Sequence, residues 1–208
     1  MNYQKLLDLE LERIKESDNV PTLLLHACCA PCSSYTLEYL SKYFKITIYY
    51  YNPNIHPNIE YLRRLNELKK FLKEFKTENE VKLVEVRYDP NEYFNAVKGL
   101  ESLGERSTRC FNCYKLRMEE TCKYAKENNF DYFTTTLSIS PYKLSNWINE
   151  IGNTLEKEYG IKYLYTDLKK NNGYKRSLEL SKEYNLYRQD YCGCIYSKKE
   201  REKHYESV

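Results

Sequence analysis

The sequence predicts an α/β protein built on one parallel sheet of about five strands flanked by helices. Short apolar or β-branched runs alternate with longer stretches whose apolar residues recur every three or four positions. The first run, Leu23-Leu24-Leu25, is unbroken, the pattern of a strand covered by helices on both faces. Cysteines, histidines and Asn-Pro pairs gather just after such runs, where a parallel sheet places its binding crevice.

Taken in order, Leu6, Leu7, Leu9, Leu11 and Ile14 among charges predict an N-terminal helix from about Gln4 to Lys15. Asp18-Asn19-Val20-Pro21 ends it, and the first strand is expected from Thr22 to Ala27. Tyr35, Leu37 and Leu40 are inward positions of a helix over Ser33 to Lys42, and the β-branched and aromatic residues Phe44 to Tyr51 form a second strand. Asn52-Pro53-Asn54-Ile55-His56-Pro57 reads as a loop. Ile59, Leu62, Leu65, Leu68, Leu72 and Phe75 mark a long amphipathic helix. A third strand is expected over Val81 to Val86, then a helix around Tyr93 to Leu100 and a Gly-Ser-Thr loop delivering Cys110. A helix over Tyr114 to Lys126, a fourth strand over Asp131 to Thr136 and the loop Ser138-Ile139-Ser140-Pro141 follow. Gly160 stops a helix that begins at Leu144. Ile161 to Tyr165 is read as a fifth strand, Tyr174 to Tyr184 as a last helix, and Cys192-Gly193-Cys194 as part of a charged tail. No linker or repeat divides the chain, so one domain over residues 1–208 is expected, with 1–19 as its N-terminal helix.

Of 208 residues, 41% are hydrophobic and 30% charged, which excludes a disordered chain. No apolar run approaches the roughly 20 residues of a spanning helix. The start, Met1-Asn2-Tyr3-Gln4-Lys5, lacks the pattern of a signal peptide, so a cytoplasmic protein is expected. A net charge of +3 is compatible with an RNA partner but does not argue for one.

In a reducing compartment, eight cysteines point to metal binding or redox chemistry rather than to a disulfide framework. Seven fall in three clusters: Cys28, Cys29 and Cys32; Cys110 and Cys113; Cys192 and Cys194. The first lies where a strand meets a helix start, whose dipole favours thiolate. The second alone fits zinc, an iron–sulfur centre, a redox pair or no function. The third surrounds Gly193, and a disulfide closing so small a ring would be strained and easily reduced. Seven thiols are too many for one closed zinc site, but they suit a four-cysteine 4Fe–4S cluster beside a second reactive set. Cys122, sharing a helical face with Met118 and Ala125, reads as core, and His26 as structural. His56 is equally suited to substrate contact and to turn chemistry, and His204 is expected to be exposed in the tail. Asp190 and Tyr191 are candidate proton donors by proximity to the last cluster. The loop after the first strand has no glycine, which argues against a phosphate cradle. The tail Lys198-Lys199-Glu200-Arg201-Glu202-Lys203 reads as a solvated face, its acids diluting its bases.

Together these stretches resemble the QueH family of epoxyqueuosine reductases. The resemblance rests on His26-Ala27-Cys28-Cys29-Ala30-Pro31, Tyr51-Asn52-Pro53-Asn54-Ile55-His56-Pro57, Arg109-Cys110 with Cys113, Thr135-Thr136-Leu137 with Ser140-Pro141, and Tyr187-Arg188-Gln189-Asp190-Tyr191-Cys192-Gly193-Cys194. It implies a HUP-like domain over residues 20–208, with helical additions carrying the second and third clusters. It also implies a 4Fe–4S cluster held by Cys28, Cys29, Cys110 and Cys113, and a redox-active pair or second-iron site at Cys192 and Cys194. Where some relatives carry aspartate this chain has Cys32, which would offer sulfur to a second, mononuclear iron. The implied reaction is reduction of epoxyqueuosine to queuosine at the wobble position of tRNA, fed by an electron donor not named by the sequence. The substrate base must leave its stack, and Tyr51 and Tyr191 are expected to receive it. The competing expectations are a zinc-bearing tRNA-binding or thiolation protein of the same fold, and a dithiol oxidoreductase.

Overall fold

The computed structural model describes residues 1–206, with side chains through residue 203, so the expectation for His204 lies outside the described residues. Helix α1 (Tyr3–Lys15) leads to β1 (Thr22–His26), α2 (Ala30–Leu40), β2 (Lys45–Tyr50), α3 (Asn58–Glu74) and β3 (Val81–Glu85). Then come α4 (Pro90–Ala96), α5 (Thr108–Glu127), β4 (Tyr132–Thr135), a 3-10 turn (Thr136–Ile139) and α6 (Ser145–Tyr159). The chain continues through β5 (Lys162–Tyr163), α7 (Gly173–Glu183) and α8 (Ile195–Glu206).

All strand pairs are parallel, in the order β3-β2-β1-β4-β5. The chain winds from β1 out to β3, then crosses back to lay β4 on the other side of β1. Strand order therefore reverses between β1 and β4, and a crevice opens at their carboxyl ends. Side chains alternate across each strand. Leu23, Leu25, Ile46 and Ile48 share one core with Leu7, Leu11, Leu37, Leu40, Leu68 and Phe71. Leu24 and Phe133 share the other with Met118, Cys122, Ile148, Ile151 and Leu155. The sheet is thus covered by α1, α2 and α3 on one face and by α5 and α6 on the other. This is the expected Rossmann-like α/β architecture, and Cys122, fully buried, is core as anticipated.

Several boundaries differ from expectation, and the differences move the cysteines. Pro31 suits the first turn of a helix, so α2 opens at Ala30 and takes Cys32 inside it. Ser107 is the N-cap of α5, which places Cys110 and Cys113 on a helix rather than on and just after a loop. That helix is the crossover into β4, not an addition to the fold. The third cluster does precede an addition, α8, whose residues Lys199 to Lys203 are exposed. Strand β5 is only two residues long, shorter than Ile161 to Tyr165. Gly160 closes α6 at φ 75°, as predicted.

Candidate active site

The crevice is held open by backbone fastenings around β1. His26, completely buried, ends that strand with Nε2 3.1 Å from the Tyr51 carbonyl and Nδ1 2.8 Å from Thr135 Oγ1. A carbonyl only accepts, so Nε2 carries the proton and Nδ1 accepts from the threonine hydroxyl. Burial, with Arg117 adding to it, lowers the His26 pKa to about 3 and keeps the ring neutral. His26 therefore ties the chain after β2 to β4 across β1, a structural role as read from the sequence.

Cys29 is the N-cap of α2, and Cys28 and Cys32 lie on either side of it. The three sulfurs are within 4.8 Å of one another, Cys28 and Cys29 being 3.8 Å apart. Hydrogen bonding to Cys29 and Cys32, aided by Lys143 and Arg117, holds the Cys28 thiol well below its usual pKa. Cys28 takes the charge, so the Cys29 thiol is pushed up to about 12 and Cys32 is raised too. The three thiols titrate as one coupled set in which Cys28 is favoured to carry the charge. Gln189 donates to Cys29 Sγ at 3.2 Å.

Before this trio lies a cavity of about 520 Å³, whose lining includes Cys28, Cys32, Tyr142, Lys143, Tyr191 and Cys192. Behind it a chamber of about 30 Å³ is lined by Cys110, Cys113, Cys192 and Cys194 together with Asn54 and Lys143. Cys192 and Lys143 border both spaces. The three clusters thus converge at the strand ends, as expected. Cys110 and Cys113 sit with the third cluster, and Cys32 sits with Cys28 and Cys29. All eight cysteines are free thiols.

The loop after β2 fixes the third cluster through its backbone. His56 N–H donates to the Gly193 carbonyl at 2.8 Å, and Tyr191 Oη donates to the His56 carbonyl at 2.8 Å. Arg64, on α3, donates to the Cys192 carbonyl at 3.3 Å. Cys192 N–H donates to Ser197 Oγ, and Ser197 N–H to Cys194 Sγ at 3.4 Å, so Cys194 faces the amino end of α8. Burial, then Cys192, raises the Cys194 pKa, and burial pushes the Cys113 thiol up to about 12.

Positive charge is in excess around these sulfurs. Arg64, Arg109 and Arg117 are each 1% exposed. Arg64 pairs with Glu60 at 2.7 Å and Arg109 with Glu200 at 2.8 Å. Arg117 donates from Nε to the Cys113 carbonyl, its Nη2 has no partner, and among the described residues no carboxylate pairs with it. A buried cation without an anion is costly. Burial opposes the Arg117 charge, and sulfur offsets it: the Cys28 thiol, whose pKa Arg117 helps to lower, is the anion this cation faces. The Nε of Arg109 and both amide atoms of Asn54, 1% exposed, are likewise unpartnered beside the inner chamber.

The family model for epoxyqueuosine reductase QueH matches residues 23–200. The chain belongs to the QueH family. An epoxyqueuosine reductase QueH of Streptococcus pyogenes serotype M1 is 47% identical over 202 residues, covering 96% of this chain and 79% of the relative. That of Staphylococcus epidermidis is 43% identical, covering 95% and 84%. That of Thermotoga maritima is 37% identical, covering 89% and 95%.

Within this QueH family member, sequence reasoning found the seven clustered cysteines and placed Asp190 and Tyr191, both on the outer cavity. Tyr51 is a correction. It is 5% exposed, its hydroxyl donates to Glu92 Oε2 at 2.5 Å, and it lies in the core beneath α5 rather than on the cavity. Missed were Asn54, Arg64, Arg117, Tyr142, Lys143 and Gln189. Only Gln189 and Asn54 lay within stretches singled out beforehand. Among the described residues, no helix is long and apolar enough to cross a membrane.

Proposed function

We propose that this chain reduces epoxyqueuosine to queuosine at the wobble position of tRNA, in the cytoplasm, with residues 20–208 as the catalytic domain. The observation that carries the proposal is the meeting of six thiols around two adjoining spaces at the switch point of the sheet, with a seventh, Cys29, beside Cys28. The donor set fits an iron–sulfur centre: soft sulfur ligands, too many for one zinc, beside a buried guanidinium that lacks an acid. Cys28, Cys29, Cys110 and Cys113 would hold the 4Fe–4S cluster, with Cys32 and the Cys192–Cys194 pair available to a second iron. When bound, such a centre supplies electrons singly and a Lewis-acidic iron.

Reduction of the epoxide to an alkene consumes two electrons and two protons and releases the oxygen as water. The chain's own groups can serve each need. Burial opposes the charge of Lys143, but Cys192, Tyr114 and Cys28 raise its pKa, so an ammonium stands at the boundary of both spaces. It is placed to donate to oxygen as the C–O bond breaks. Asp190 and Tyr191 border the same cavity, but the Tyr191 hydroxyl donates to the His56 carbonyl, which leaves Lys143 as the group best placed to supply a proton. Oxidation of Cys192 and Cys194 to a disulfide releases two electrons and two protons together, and an external donor must then restore the dithiol. Cys28 itself, 6% exposed on the wall of the cavity, is largely shielded from bulk water.

Anaerobically purified protein is expected to be brown, with about four irons and four sulfides per chain. Reduced by dithionite and given epoxyqueuosine tRNA, it should yield queuosine. Failure of a cluster-replete preparation to form product would sink the assignment. Colourless protein with one zinc would favour a tRNA-binding or thiolation role, and metal-independent disulfide exchange a dithiol oxidoreductase.

A further inference from the structure

Tyr142 is an outward-facing aromatic where little else is. At 67% exposure it is, among the described residues, the one aromatic in the set of exposed large apolar side chains, the others being aliphatic. Its backbone is nonetheless fastened. Tyr142 N–H donates to Ser140 Oγ at 3.3 Å, and the Arg106 guanidinium donates to the Tyr142 and Pro141 carbonyls at 3.1 and 3.4 Å. The ring meets no other aromatic ring, and its hydroxyl has no partner among the described residues. It borders both the outer cavity and the inner chamber.

Two other tyrosines line the outer cavity, and both are committed. Tyr191 spends its hydroxyl on the His56 carbonyl and has Arg64 5.3 Å from its ring. Tyr174 has the Arg188 guanidinium 5.9 Å from its ring. A cavity of about 520 Å³ is of the size that takes a nucleoside-sized ligand. A fixed stem with a free ring at the mouth of such a cavity suits a flat, π-faced partner. The cost of exposing that ring to water is recovered only when something covers it.

We propose that Tyr142 is the platform on which a nucleobase of the RNA stacks as the modified base enters the cavity. The proposal rests on the reading of this protein as a tRNA-modifying enzyme. Stacking uses the ring and not the hydroxyl, and it tolerates any base, so Tyr142 is a positioning residue rather than a proton donor. It takes the receiving role that the buried Tyr51 cannot fill.

The test uses an anticodon stem-loop RNA with 2-aminopurine at the wobble position, titrated into anaerobically purified, cluster-replete protein. Wild type should quench the probe on binding. Tyr142→Phe and Tyr142→Trp should keep the affinity, whereas Tyr142→Ala should weaken it by roughly 5- to 100-fold. Iron content should be equal in all four proteins, and Tyr142→Ala should raise KM for epoxyqueuosine tRNA with kcat retained. Tyr142→Ala binding as tightly as wild type would overturn the platform while leaving the reductase reading in place. Loss in Tyr142→Phe as well would make the hydroxyl the active part and also overturn it. Wild type that neither binds the RNA nor reduces the tRNA would overturn the functional reading itself.

Discussion

Arg117 shows how one side chain reveals what its surroundings require. A guanidinium 1% exposed and without a carboxylate is stable only beside another source of negative charge, and the nearest source is sulfur. It follows that removing it makes an electron harder to add to any centre those sulfurs bind. Arg117→Gln in cluster-loaded protein should lower the reduction potential by on the order of tens of millivolts, as expected for losing one nearby positive charge at an effective dielectric of about 20. Arg117→Lys should restore most of it, and a potentiometric titration in which Arg117→Gln matches wild type would refute the role. In the sequence this arginine looked ordinary. Its spacing from Cys110 and Cys113 puts all three on one helical face, but only when α5 is known to begin at Thr108. The cysteines were legible because clustering of a scarce, reactive residue carries its own meaning. Tyr51 was misplaced for the opposite reason: in a chain with 23 tyrosines, adjacency to a motif says little about which way a ring points.

At the scale of elements, the three clusters share a device: each lies at the amino end of a helix. Cys29 caps α2, Cys110 lies in the first turn of α5, and Cys194 precedes α8. Unpaired N–H groups there favour negative charge on sulfur. The third instance depends on Gly193, whose φ of 129° an L-residue rarely adopts. A Cβ there would also meet Arg64 Nη1 at 3.1 Å and Ile55 Cγ1 at 3.3 Å. Gly193→Ala should therefore cost about 1–3 kcal/mol in denaturant unfolding and raise the alkylation rate of Cys192. Gly99→Ala, also at positive φ but with nothing within 4 Å, separates backbone strain from the clash. An unchanged alkylation rate in Gly193→Ala would show that the turn does not depend on this contact. The sequence marked Gly193 as the centre of an unusual turn, yet α8 went unseen. Its mixed charges carry no apolar stripe, and its start is set by contacts with Asn54, His56 and Arg64 far away in the chain.

At the scale of the molecule, the sheet and the sulfur site share few residues: of the seven clustered cysteines only Cys32 and Cys110 pack against the two large cores, at their margins. The two large cores contain only Cys122 among fully buried cysteines, while Cys113 and Cys194 belong to a small cluster with Tyr93 and Val97. Stripping iron with a chelator should therefore leave the far-UV circular dichroism unchanged. Amide exchange over residues 187–206 should accelerate, because that stretch hangs on a few bonds to the loop after β2 and to α3. Collapse of the helical signal on chelation would show instead that metal and sheet fold as one unit. The same separation explains why the architecture was readable. Hydrophobic alternation and helical periodicity report local burial, and the crossovers of a parallel sheet limit its topologies. The strand order, which decides that β1 and β4 flank the crevice, is a long-range fact that periodicity alone does not carry.

The order of the clusters along the chain has a bearing on synthesis. A chain made from its amino end completes β1 to β5, with Cys28, Cys29, Cys32, Cys110 and Cys113 in place, before Cys192 and Cys194 exist. Metal offered to that nascent chain meets five thiols with the far wall missing, held by His56 and Arg64 only once the last segment arrives. The four thiols that would hold the cluster are thus made before the wall that would enclose them, and α8 completes that wall last.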